Sequence, residues 1–172
     1  NSEDAINIIS SQSYIKNLKL SNISADALDI DFGKVVFENI TCKKILNDCL
    51  DVSGGIVKGR YLKTIDIKDK GLSFGENSNG NISNTTFINN KLAVAVKDGS
   101  QLSLSEINFK ENKYDIAVFN KKKEYGSSIL SLDKFKDISD LKILLGSNNK
   151  ILPDSNKNVI EVKNSYINNL FY

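Results

Sequence analysis

Asp26-Ala27-Leu28-Asp29-Ile30 is echoed 22 residues later by Asp48-Cys49-Leu50-Asp51-Val52, and that echo decides the fold. The same five-letter phrase stands at Asp4-Ala5-Ile6-Asn7-Ile8, Lys70-Gly71-Leu72-Ser73-Phe74, Leu92-Ala93-Val94-Ala95-Val96 and Tyr114-Asp115-Ile116-Ala117-Val118. Each copy starts 22 residues after the one before. The third and fifth letters are apolar in all six copies, and the second is small in five, Asp115 being the exception. Self-similarity at a fixed period of this size marks a solenoid, propeller or array.

Working outward from the phrase, apolar-x-apolar is a strand signal of period two. A second signal follows in each copy: Val35 and Phe37 match Val57 and Gly59, and Ile40 and Cys42 match Leu62 and Thr64. In the fourth copy these positions fall at Gly80, Ile82, Thr85 and Phe87, one residue late, and the frame recovers before Leu92. An added residue in a turn around Glu76–Gly80 accounts for the slip, because turns tolerate length changes and strands do not. Three short strands per repeat cannot bury a face alone, but stacked coils bury a continuous core. Propeller blades need about 40 residues, and leucine-rich repeats need a periodic Asn or Cys with a helical segment. The expectation is an all-β, single-stranded parallel β-helix with about six coils over residues 1–132. Residues 133–172 are expected to form an irregular last coil and cap. Three parallel sheets are expected, with inward ladders Ile6, Leu28, Leu50, Leu72, Val94, Ile116 and Ile8, Ile30, Val52, Phe74, Val96, Val118.

Residues 4–132 resemble the right-handed parallel β-helix superfamily, which includes pectate-lyase-like and carbohydrate-binding proteins. Asp48-Cys49-Leu50-Asp51-Val52-Ser53-Gly54-Gly55, Asp69-Lys70-Gly71-Leu72-Ser73-Phe74-Gly75-Glu76 and Ala95-Val96-Lys97-Asp98-Gly99-Ser100 carry a closer resemblance. They look like a β-helix repeat module of bacterial surface proteins, some of which also bear a CotH-type spore-coat kinase domain. Right-handedness, a bacterial source and an extracellular or cell-surface location are what that resemblance implies. So are polysaccharide or other cell-surface components as partners.

Composition narrows the function. The chain has 172 residues, a net charge of +2 and a single arginine, Arg60. There is no basic stripe, which argues against nucleic acid, and no apolar run of the length a membrane helix needs. With no His, Ser-His-Asp and Cys-His catalysis are excluded. Cys42 and Cys49 read as buried structural thiols, or as a disulfide if the compartment is oxidising. Asn tolerates left-handed turn geometry, and Asn89, Asn90 and Asn112 are expected in that role.

After Leu132 the register weakens. Asp140-Leu141-Lys142-Ile143 reads as an irregular seventh coil, Gly146-Ser147-Asn148-Asn149 as a turn, and Val159–Val162 as a strand. The aromatic tail Tyr166–Tyr172 either caps the last coil or offers a partner-binding surface. At the other end the chain enters mid-pattern with Asn1-Ser2-Glu3. The edges around Ile6–Ile8 and Leu18–Leu20 would lie open, so either further coils precede them or this end makes end-to-end contact with another chain.

Alternation turns one column outward: Asn7, Asp29, Asp51, Ser73, Ala95, Ala117. Its neighbour is Ile9, Asp31, Ser53, Gly75, Lys97, Phe119. Stacked rungs lie about 4.8 Å apart, and Asp29 and Asp31 about 6.5–7 Å apart along one strand. Asp29 and Asp51 are therefore candidate catalytic carboxylates for a glycoside hydrolase. Asp29, Asp31 and Asp51 are candidate Ca²⁺ ligands, with Lys70 as base if the chemistry is that of a lyase. The competing reading makes these Asp residues exposed solubilising positions on a non-catalytic carbohydrate-binding or structural module. The Ser and Ala that continue the column, and the absence of Trp for sugar stacking, favour that reading.

Overall fold

A residue that alternates inward and outward every second position needs a partner strand on each side, and the repeat supplies one from each neighbouring coil. The computed structural model describes residues 4–133, 140–153 and 159–172, so Asn1, Ser2 and Glu3 lie outside it. In chain order the first strands are β1 (Asn7–Ile9), β2 (Gln12–Ile23), β3 (Leu28–Asp31), β4 (Lys34–Ile45), β5 (Leu50–Ser53) and β6 (Ile56–Ile67). Then come β7 (Lys70–Gly75), β8 (Asn79–Ile88), β9 (Leu92–Lys97), β10 (Gln101–Lys110) and β11 (Tyr114–Phe119). The chain continues through β12 (Ile129–Asp133), β13 (Ile143–Gly146), β14 (Lys150–Leu152) and β15 (Val159–Val162) to helix α1 (Asn164–Phe171). Every pairing is parallel. Odd-numbered strands stack into one eight-stranded sheet and even-numbered strands into one seven-stranded sheet. The result is a β-solenoid of about six 22-residue turns, extended by the strands after residue 140.

The register is the one read from the phrase: Leu28 pairs with Leu50, Leu50 with Leu72, and Leu72 with Val94. The one-residue slip is also located, since Ser53 pairs with Gly75 but Ile56 with Asn79. Both ladders enter one core in which Leu28, Leu50, Leu72, Ile30, Val52 and Phe74 are fully buried. Gly59 sits where a Cβ would lie 2.1 Å from Phe37 Cζ, so the missing side chain in one coil makes room for the ring in the next. In the first coil, Ile6, Ile8, Ile15, Leu18, Leu20 and Ile23 pack on the core but are only partly buried.

Two sheets form where three were expected. In β4 the inward residues are Val35, Phe37, Ile40, Cys42 and Ile45, with Glu38 and Asn39 successively outward. Asn39 is left-handed, as are Asn17, Tyr61, Asn84 and Glu106 at matching places, with φ between 55° and 66°. One such residue turns the strand through a corner without leaving the ladder, so two expected strands are a single bent one. Left-handed residues mark two further corner columns: Ser10, Phe32, Gly54, Glu76, Asp98 and Asn22, Lys44, Asp66, Asn89, Glu111. A non-glycine residue costs about 1–2 kcal/mol in this conformation. The stack offsets that with ladder bonds at the corner itself, such as Phe32 N–H to Ser53 O at 2.8 Å.

Asn89 takes the turn role expected of it, but Asn90 and Asn112 do not. They are buried, and each side-chain carbonyl accepts a backbone N–H from the preceding coil: Ile67 to Asn90 at 3.1 Å and Asn90 to Asn112 at 3.0 Å. Cys42 and Cys49 are joined in a disulfide with Cα atoms 5.8 Å apart, which replaces the reading of two free thiols. Cys42 is an inward position of β4 and Cys49 a buried residue in the bend just before β5, close enough to bridge.

The tail forms α1, which packs on the outer side of the eight-stranded sheet and not over the end of the last coil. Ile167 and Phe171, one helical turn apart, seat against Leu92, Ala95, Ala117, Phe119 and Leu144. The small Ala95 and Ala117 leave a trough on that face, and a helix with one apolar stripe fills it. No helix among the described residues is long and apolar enough to cross a membrane.

Candidate functional site

The alternation that buries Leu28 and Ile30 turns Asp29, Asp31 and Asp51 outward. The register places Asn7 beside Asp29, Asp29 beside Asp51, and Asp51 beside Ser73. Asn7 Nδ2 donates to Asp29 Oδ2 at 3.2 Å. Asp51 Oδ1 accepts the Val52 N–H at 3.0 Å and lies 3.6 Å from Lys97 Nζ. Burial, reinforced by Asp31 and Asp51, pushes the Asp29 carboxyl up to about 7. Burial also raises Asp26 to about 6, against the hydrogen bond it accepts from the Asp48 backbone.

Lys70 is not on this exposed face. It occupies the first letter of the phrase, where the preceding coils carry Asp4, Asp26 and Asp48, and it is only 2% exposed. Those carboxylates cap the next coil: Asp26 Oδ1 accepts the Asp48 N–H at 2.7 Å, and Asp48 Oδ1 accepts the Lys70 N–H at 2.9 Å. Where the column changes sign, Lys70 Nζ lies 3.4 Å from Asp48 Oδ1 and also pairs with Asp69. Lys97, 7% exposed, donates to Ser73 Oγ at 2.6 Å.

The Tyr172 ring closes over this network, its centroid 4.6 Å from Lys70 Nζ and 3.6 Å from Lys121 Nζ. Burial works to lower the pKa of Lys70 and of Lys97. The charges around them together outweigh it, Asp48 contributing most for Lys70 and Asp51 for Lys97, and both ammonium groups are held above the ordinary lysine range. Burial pushes the Asp48 carboxyl up, against the pull of Lys70.

Of the residues singled out in the sequence, the fold brings Asp29, Asp31 and Asp51 to one face and withdraws Lys70 into a neighbouring corner. Asp48, Asp69 and Tyr172 belong to the network and were not foreseen. The change from Asp48 to Lys70 within one 22-residue column was a readable signal of an ion pair, whereas Tyr172 lies outside the period and gave none. Among the described residues no three His, Cys, Asp or Glu side chains form a group suited to a metal ion.

Comparison with models of known families, with curated proteins and with solved structures finds no match for this chain.

Proposed function

We propose that this chain is a non-catalytic β-helix domain of a larger bacterial surface or secreted protein, serving as a carbohydrate-binding or structural interaction module. One observation carries the reading: the lysine that a lyase would use is sequestered. A general base must reach its substrate and lose its proton near neutral pH. Lys70 is buried, paired with Asp48 and Asp69, and held in its charged form. The resemblance to the surface-protein module supports the setting, as does the Cys42–Cys49 bridge, since disulfides persist in oxidising compartments.

The test is incubation with acidic and neutral polysaccharides, following reducing ends and the absorbance of unsaturated products, alongside a glycan array. Binding without turnover supports a carbohydrate-binding module. Silence in both assays favours a spacer or interaction domain. Turnover that Asp51→Asn abolishes overturns the non-catalytic reading.

A second reading, a polysaccharide-active enzyme, rests on Asp29. A carboxyl raised to about 7 beside a second carboxylate on the next rung is the pairing that acid–base chemistry uses.

A further inference from the structure

In a repeat protein, departures from the repeat collect where a ligand is met. Three departures stand out among the described residues. The first is the loop 120–128: Lys97 and Phe119 pair 22 residues apart, but Gln101 and Ile129 pair 28 apart, so this loop carries six residues more than the coil needs. The second is the turn at Ser147 and Asn148, and the third is α1. All three line a single pocket of about 400 Å³.

The pocket is chemically one-sided. The loop contributes Lys121, Lys123 and Tyr125, the turn Asn148, and the polar side of α1 Ser165 and Asn168. No carboxylate stands among its described lining residues. Lys122, which points elsewhere, is neutralised by Glu76. Lys121 Nζ is taken up by the Tyr172 ring, and Lys123 enters no ion pair among the described residues.

The loop is also held in place before any ligand arrives. Asn120 Nδ2 donates to the carbonyls of Tyr125 and Gly126 at 3.1 and 2.7 Å. The backbone N–H groups of Lys121 and Lys122 both donate to Asp98 Oδ1 at 2.7 Å. Asn168 Nδ2 donates to Asn120 O at 3.2 Å, which fixes the side chain's orientation and leaves its buried Oδ1 without a partner. Preorganisation of this kind lowers the ordering cost of binding. Beyond the turn a second pocket, of about 470 Å³, shares Ser147 and Asn148 and continues to Glu161 and Lys163. A ligand longer than one unit can therefore pass over the turn.

We propose that this pocket binds an acidic saccharide. Its carboxylate or sulfate would meet Lys123, its hydroxyls the amides and Ser165, and one sugar face the ring of Tyr125. The proposal rests on the binding-module reading and supplies its site and ligand class.

Calorimetry of the full chain with trimannuronate, a chondroitin sulfate tetrasaccharide and neutral maltotriose tests it. Lys123→Glu and Tyr125→Ala probe the pocket, Lys58→Glu on the other sheet is the control, and melting curves check folding. At least one acidic probe should bind and weaken with added salt, the carboxylated and sulfated arms showing which group is preferred. Both pocket variants should weaken binding about tenfold or more, Lys123→Glu through loss of one charge-assisted hydrogen bond and Tyr125→Ala through loss of the stacking ring, and the control should not. Binding unchanged in both pocket variants overturns the site but leaves the module reading intact. Maltotriose binding as tightly as the acidic probes overturns the ligand class. Binding of none of the three overturns the proposal, and a silent glycan array would also remove the carbohydrate-binding reading, leaving the structural interaction module.

Discussion

Asp29→Asn should make the protein more stable at alkaline pH and change nothing in acid. In the fold the Asp29 carboxyl titrates at about 7, against an ordinary 3.8, because of burial and then of Asp31 and Asp51. A raised folded pKa means that the native state holds a proton the unfolded chain releases. The resulting stability is complete below the unfolded pKa and is lost as pH rises through the folded one. At about 1.36 kcal/mol per pH unit, the interval from 3.8 to 7 sets a ceiling of about 4 kcal/mol on the loss. Asp29 is only half-buried, and solvent screening reduces this to about 1–2 kcal/mol. Asparagine cannot ionise, and its side-chain oxygen can still accept from Asn7 Nδ2, so the variant escapes the loss. Urea denaturation of parent and variant from pH 4 to pH 8 measures it. The curves should nearly coincide at pH 4 and separate by about 1–2 kcal/mol at pH 8. Parallel curves, or a variant weaker at pH 8, would refute the electrostatic account of this column.

Leu50→Asp removes a fully buried side chain between Leu28 and Leu72 and puts an unpaired charge in mid-stack. It should not fold, and a circular dichroism melt like the parent's would mean that the register is wrong. Cys42→Ala with Cys49→Ala opens a loop closed by cysteines seven residues apart and should cost about 2.5 kcal/mol on the chain-entropy account. Denaturation with and without reductant checks this, since reductant should weaken only the parent. Lys70→Met leaves Asp48 buried without its counter-ion and should cost about 3–5 kcal/mol. Adding Asp48→Leu should recover part of that, short of the lost cap on the Lys70 N–H. Strict additivity in this double-mutant cycle would show that the two are not coupled.

The stack was legible because a solenoid is nearly one-dimensional: each coil meets only its neighbours, 22 residues away. The phrase at Leu28 and Leu50 therefore named rung partners directly, and alternation named Asp29, Asp31 and Asp51 as a shared outward face. The extra residue near Glu76–Gly80 was equally readable, as a break in the count. The corner at Asn39 was harder, because a single left-handed residue bends a strand without interrupting its apolar pattern, and Tyr61 and Glu106 do this with no turn-favouring side chain. The Cys42–Cys49 bridge was left open because the distance from a strand position in β4 to a residue in the turn before β5 depends on how tightly the chain turns between them.

What only the tertiary structure decided lies outside the period. Nothing in the spacing says that Ile167 and Phe171 settle on Ala95 and Ala117, 50 to 76 residues earlier, since that contact depends on trough shape and burial. With α1 comes Tyr172, whose ring lies over Lys70 and helps turn a lysine that sequence alone left available into a buried member of a charge network. The repeat by itself determined the coil, its register and its outward columns, because each is a contact between neighbouring copies. Which parts of those columns stay open to a ligand was decided by the loop, turn and helix that depart from it.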